Sequence, residues 1–179
     1  MTSASLRPLL VATVLQSIAA AVLVARGTVT LGRGPLVDAA GILAGVLVGV
    51  GLYRLIASGT GNARHARPAA VIALALVFVA ISVAEEILWR GLAFDYLAPR
   101  GTVLALIVTT VGFALVHGVH QGFSGVRFHL LTGLAFGLTM LVTGSLLAAI
   151  AAHTGYNLTL FLTTVTARKR GLHDPVAVG

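Results

Sequence analysis

The chain has 179 residues, of which 58% are hydrophobic and 9% charged, and its mean hydropathy is +1.01. That composition describes a polytopic helical membrane protein, a single integral membrane domain over residues 1–179 with no length left for a soluble domain. The formal charge of +7 would suit nucleic acid, but the basic residues stand singly or in small groups between apolar segments, a pattern of orientation signals and headgroup contacts that excludes nucleic acid and makes the lipid bilayer the partner.

A crossing takes about 20 apolar residues, and six stretches approach it: 9–25, 36–57, 69–98, 102–120, 128–143 and 145–166. The predicted fold class is therefore all-α, a bundle of about six transmembrane helices with a catalytic cavity inside it. The first stretch, after Arg7, also reads as a signal peptide with "LVA" at 23–25 as a weak cleavage site. Arg26 directly behind it and the lack of a domain to export favour an uncleaved first helix. The clearest loop carries Gly61, Asn62, Arg64, His65, Arg67 and Pro68. The third stretch is too long for a straight crossing, so it should tilt, bend, or lay its second half near the interface. "APRG" at 98–101 closes it, and "TGS" at 143–145 joins the last two stretches in a tight helical hairpin. Frequent Gly and Ala suit close helix packing.

With six spans, Lys and Arg divide unequally between the two sides. The side of the termini holds eight: Arg7, Arg54, Arg64, Arg67, Arg127, Arg168, Lys169 and Arg170. The other holds Arg26, Arg33 and Arg100, while Arg90 lies within a span. The positive-inside rule then puts both termini in the cytoplasm, and the expected location is the cell membrane.

Both glutamates of the chain stand side by side in "VAEEILWRG", residues 83–91, four residues from an arginine and inside an apolar run. Each charged side chain at the centre of a transmembrane helix costs about 2.5–3.5 kcal/mol on insertion scales, so three together should face a cavity or partners. Glu86 and Arg90 are neighbours on one helix face, in the order that favours an ion pair. Glu85 lies about 100° away around the helix and is left available. Two further pairs at a spacing of four interrupt apolar helices: Phe113 with His117 in "FALVH", and His153 with Asn157 in "HTGYN". A carboxylate, two imidazoles and a carboxamide are a set able to activate a water and hold an oxyanion. The absence of cysteine excludes disulfides, thiolate nucleophiles and cysteine-bound zinc.

These motifs resemble the EExxxR, FxxxH and HxxxN motifs of the CPBP membrane proteins (CAAX protease and bacteriocin-processing, or Abi), relatives of the CAAX prenyl endopeptidases. "EEILWR", "FALVH" and "HTGYN" occur in that order, and the linking "GLAFGLTMLVTGSLLAAIAAH" also looks like the family. The resembling core is about 69–166. The resemblance implies an intramembrane endopeptidase acting on a membrane-associated protein or peptide. In it Glu85 and His117 would activate the water, His153 and Asn157 would hold the oxyanion, and Glu86 with Arg90 would be the supporting ion pair. Departures are few: Trp89 stands where Phe is common, and the chain lacks the extra helices of the eukaryotic enzymes.

Either of two mechanisms suits these residues. An apolar cavity desolvates a carboxylate and makes it a stronger base. Alternatively Glu85, His117 and His153 supply three zinc ligands with an open position for water. Asn157 is a poor zinc ligand and a good oxyanion donor, so no metal or other cofactor is the favoured expectation, with a divalent ion such as zinc as the alternative. Blander readings apply as well. Taken alone, His117 or His153 would be a packed helix histidine bonding a backbone carbonyl. Phe113 would pack or touch substrate. His120 and His129 would be solvated at the interface, with lining the cavity or contacting substrate as the lesser alternative, and Asp95 and Arg100 would sit at the interface. His65 and His173 would be ordinary loop and tail residues, and "RKR" at 168–170 an orientation signal. A membrane binding or bacteriocin-immunity protein of the same fold is the alternative function, and a small transporter with a proton relay a third. Nothing in the sequence specifies an oligomeric state.

Overall fold

The computed structural model describes residues 3–56 and 68–166. The loop around 61–67, "RKR" at 168–170, His65 and His173 lie outside the described residues, as do the side chains of Arg7 and His120. Among the described residues the structure is helical with no strand: α1 (Ser3–Ala25), α2 (Pro35–Ile56), α3 (Pro68–Glu86), a π-helical segment (Ile87–Ala93), α4 (Phe94–Leu97), a 3-10 turn (Ala98–Arg100), α5 (Thr102–Gln121), a second 3-10 turn (Phe123–Gly125), α6 (Val126–Thr143) and α7 (Leu146–Thr166). Among the described residues five helical runs are long and apolar enough to cross a membrane, and α1 contributes a shorter apolar stretch, Val14–Ala25. The protein is a multi-pass membrane protein.

Burial runs opposite to that of a soluble domain. Leu43, Leu47, Leu76, Val103 and Val142 are exposed, while Ser82, Glu86, Arg90, Thr109, Ser145 and His153 are buried. An apolar surface over an interior that holds charged and hydroxyl side chains among its alanines and phenylalanines is what a bilayer solvent selects, because backbone and side-chain polar groups must find partners inside the protein. The threonines do so locally: the Thr109, Thr139 and Thr159 hydroxyls donate to carbonyls one turn back, at 2.8, 2.8 and 2.7 Å.

The overlong third stretch is one continuous 33-residue run, Pro68–Arg100, opened by a proline whose missing N–H costs nothing at a first turn. It accommodates its length by widening into the π-helical segment directly after the glutamates, and π turns within helices are often found at functional sites. Gly91 in that segment faces Val29 of the α1–α2 connection so closely that a Cβ would overlap the valine side chain.

The expected hairpin of the last two helices is present. Gly144 takes a left-handed conformation (φ +67°) and its N–H returns to the Met140 carbonyl at 2.7 Å, leaving only Gly144 and Ser145 between α6 and α7. Yet the most extensive partner of α7 is α2, not α6. Gly41, Gly45 and Gly49 line the contact, and a Cβ on Gly45 or Gly49 would fall on the Ala148 or Ala152 carbonyl oxygen. This small-residue stripe sets α7 deep in the bundle by letting two backbones approach. At the end of the hairpin, Ser145 Oγ donates to Asp38 at 2.8 Å, and Asp38 also accepts the Arg33 and Gly34 N–H groups.

Candidate active site

The glutamates leave α3 at the point where the π-helical segment begins, and α5, α6 and α7 close around them. Glu86 is fully buried (0% exposed) and its Oε1 accepts two hydrogen bonds, from Arg90 Nη1 at 3.0 Å and from His153 Nδ1 at 2.8 Å. Arg90, 1% exposed, spends its other terminal nitrogen on the Gly133 carbonyl of α6 at 2.8 Å and lies over the Phe113 ring with its guanidinium carbon 4.7 Å from the centroid. Gly133 is required there, because a Cβ would press on both the Phe113 ring and Arg90 Nη2. The ion pair expected from the spacing is therefore present. Glu86 does more than that expectation contained, since it also fixes the ring of His153.

Glu85 points to a different set of atoms. Its Oε2 is buried without a hydrogen-bond partner and faces His117 Nε2 at 3.7 Å and His153 Nε2 at 3.8 Å. Those separations are too long for direct hydrogen bonds. A single water set to one side of the line joining them could still hydrogen-bond both. The side chains of Glu85 and His117 retain 11% and 12% exposure, so the cluster is narrow without being sealed.

Both imidazoles are held on their far sides. His117 Nδ1 donates to the Phe113 carbonyl one turn back at 2.9 Å, the bond of an ordinary helix histidine, and this turns Nε2 toward Glu85. His153 stacks on Phe136 (4.7 Å between centroids, 19° between planes) and meets the edge of Phe113 at 5.7 Å. Phe113 is buried at the centre of the group, beneath Arg90 and beside both histidines.

Asn157 lies one turn beyond His153 on α7, and its Nδ2 donates to Ser82 Oγ at 3.1 Å. Ser82 in turn donates to the Phe78 carbonyl at 2.9 Å, and it is completely buried one turn before Glu86. A carboxamide nitrogen carries two N–H groups, so one remains for another acceptor.

Ser82, Gly133 and Phe136 were not singled out as site residues by the sequence, and His129 entered only as the lesser alternative to a solvated role. Ser82 carried a readable signal: Ser82, Glu86 and Arg90 repeat at intervals of four along one face. Gly133 and Phe136 carried none, because their roles depend on which face of α6 meets α3 and α7. His129 corrects the expectation of a solvated interfacial residue. It is partly buried and stacks on His117, with centroids 4.2 Å apart and planes at 28°. Arg100 is exposed as expected, bonding the Tyr96 carbonyl at 2.9 Å.

A cavity of about 210 Å³ lies between the α1–α2 connection, the π-helical segment and the α6–α7 turn, lined by Arg33, Gly91, Phe94, Asp95, Met140 and Leu146 among others. It touches the polar cluster only through Arg90, so it is distinct from the expected catalytic cavity, whose residues do not line it. For a metal, tetrahedral zinc with bonds of about 2.0–2.1 Å places its donors roughly 3.3 Å apart. The contacts of 3.7 and 3.8 Å are wider, and among the described residues no group of three His, Asp or Glu is arranged to hold an ion. As placed, Glu85 Oε2 stands farther from the two histidine nitrogens than a tetrahedral zinc would hold its donors.

A family model described as type II CAAX prenyl endopeptidase, Rce1-like, matches residues 67–159, just over half of the chain and the whole span from α3 through Asn157. Among curated proteins and solved structures nothing matches.

Proposed function

The chain belongs to the Rce1-like family of type II CAAX prenyl endopeptidases, and from that premise we propose that it is an intramembrane endopeptidase that hydrolyses a peptide bond of a membrane-associated protein or peptide. The observation that carries the reading is the buried, unpartnered Oε2 of Glu85 facing Nε2 of two histidines at 3.7 and 3.8 Å. A desolvated carboxylate beside an imidazole, both within reach of one water lying to the side of them, is the arrangement a general base needs.

In the proposed reaction a water lies beside Glu85 Oε2 and His117 Nε2 and hydrogen-bonds both. Glu85 takes its proton as the water oxygen attacks the scissile carbonyl carbon. The carbonyl oxygen becomes negative and accepts hydrogen bonds from His153 Nε2 and the remaining Asn157 Nδ2–H. With Nδ1 already donating to Glu86, a proton on Nε2 makes His153 an imidazolium. Before the attack two carboxylates face a single guanidinium; once Glu85 has taken the proton, the negative oxygen itself offsets the imidazolium. Collapse of the tetrahedral intermediate breaks the C–N bond, and the proton held by Glu85 passes to the leaving amine. Glu86 and Arg90 act as supports: one anchors His153, and the other holds α6 against α3 through Gly133. No metal takes part in this reading, and no cofactor is assigned.

The proposed setting is the cell membrane with both termini cytoplasmic, which rests on the Lys and Arg counts of the loops. The test compares membrane peptidomes of cells carrying the native chain and Glu85→Gln, a nearly isosteric change that removes the base. A set of cleavage products present only with the native chain supports the reading. Identical peptidomes, with a peptide co-purifying equally with both proteins, would replace it by a capture or immunity function.

A further inference from the structure

His129 lies outside the three motifs, yet it reaches the reactive cluster from a separate helix. It stands at the start of α6, twelve residues after His117, and the turn after Gly122 (φ +97°) folds the end of α5 back so that the two rings meet. The turn is tight enough that a Cβ on Gly118 would run into Val126 and Phe123.

Around His117 the rings of Phe113 and His129 have centroids at 4.3 and 4.2 Å, and they are 6.1 Å from each other. Those separations make a right-angled corner with His117 at its apex, so the imidazole is bounded from two independent directions. The bond from Nδ1 to the Phe113 carbonyl pins one ring atom. Through that single edge atom it restrains rotation about the Cβ–Cγ bond, an intrinsically broad torsion and the motion that would carry Nε2 away from Glu85. His129 lies nearly parallel to the ring, at 28°, and opposes that rotation.

We propose that His129 is a positioning residue: its ring fixes the plane of the His117 imidazole so that Nε2 stays directed at Glu85. The inference rests on the endopeptidase reading for its catalytic consequence, and on ring geometry alone for its structural one. The requirement is for a flat ring at this place, not for a proton, so phenylalanine should substitute and an aliphatic side chain of similar bulk should not. Aromatic contacts of this kind are worth about two- to twelvefold in an equilibrium.

The experiment uses the full-length protein in detergent with His129→Phe, His129→Leu and His129→Ala. One readout is hydrolysis of a quenched reporter carrying the bond identified by the Glu85→Gln comparison. The other is the rate at which diethyl pyrocarbonate labels His117, followed by mass spectrometry of its peptide, which needs no turnover. His129→Leu and His129→Ala should lower kcat about tenfold with KM within about twofold, and raise His117 labelling at least about threefold. His129→Phe should match the native protein in both. Leucine performing as well as phenylalanine would reduce His129 to packing, and native labelling of His117 in His129→Ala would overturn the proposal. If the native protein cleaves no reporter, the endopeptidase reading fails, and the labelling rates decide the positioning role by the same criteria.

Discussion

The two adjacent glutamates should fail in different ways when each is changed to glutamine. In Glu86→Gln the carboxamide can still accept one hydrogen bond, but Arg90 at 1% exposure loses its counter-charge and His153 loses an anionic acceptor at 2.8 Å. Removing one partner of a buried pair costs about 3–5 kcal/mol. Arg90 keeps the Gly133 carbonyl at 2.8 Å and the Phe113 face at 4.7 Å, which places the cost near the lower end, about 3 kcal/mol. A chain of this size shifts its midpoint by about 2–4 °C per kcal/mol, so Glu86→Gln should unfold roughly 6–12 °C below the native protein. The assay is thermal unfolding of the detergent-solubilised protein, followed by fluorescence-detected size exclusion. Glu85→Gln should melt within about 2 °C of native, since Glu85 Oε2 has no hydrogen bond to lose, and it should abolish cleavage. If Glu86→Gln melts like the native protein, or Glu85→Gln falls as far as Glu86→Gln, the division into a supporting and a reacting carboxylate is wrong.

Asn157→Ala should lower turnover by about 10²–10³-fold with substrate binding largely kept, measured as kcat against KM; a loss confined to KM would remove it from the oxyanion site. Activity should survive prolonged chelation and dialysis. Loss restored by a stoichiometric divalent ion would make Glu85, His117 and His153 ligands and Asn157 a group that orients one of them. Gly49→Ala should reduce the yield of folded protein, read by size exclusion, because its Cβ would meet the Ala152 carbonyl oxygen where α2 and α7 touch. A reporter active only in the cytoplasm should work at the C-terminus and fail when fused near Gly34, and the reverse pattern would invert the proposed orientation.

Helix periodicity and hydropathy are properties of neighbouring residues, so the sequence by itself determined most of what is local. Six apolar stretches could be counted, the hairpin at Gly144 could be foreseen from "TGS", and the ion pair of Glu86 with Arg90 followed from a spacing of four. The overlong third stretch announced some accommodation, but which one emerged was a π-helical segment, within which Gly91 packs against Val29. What joins different helices depended on the tertiary structure. That Glu86 holds His153 across 67 residues, that Ser82 holds Asn157 across 75, and that Gly133 and Phe136 of α6 seat Arg90 and His153 are matters of which faces meet. That choice lies in the glycine contact of α2 with α7 and the turn between α5 and α6. His129 is the clearest case. Read along the chain it is a histidine beside a loop, and it enters the site only because α6 folds back on α5 and sets its ring 4.2 Å from that of His117.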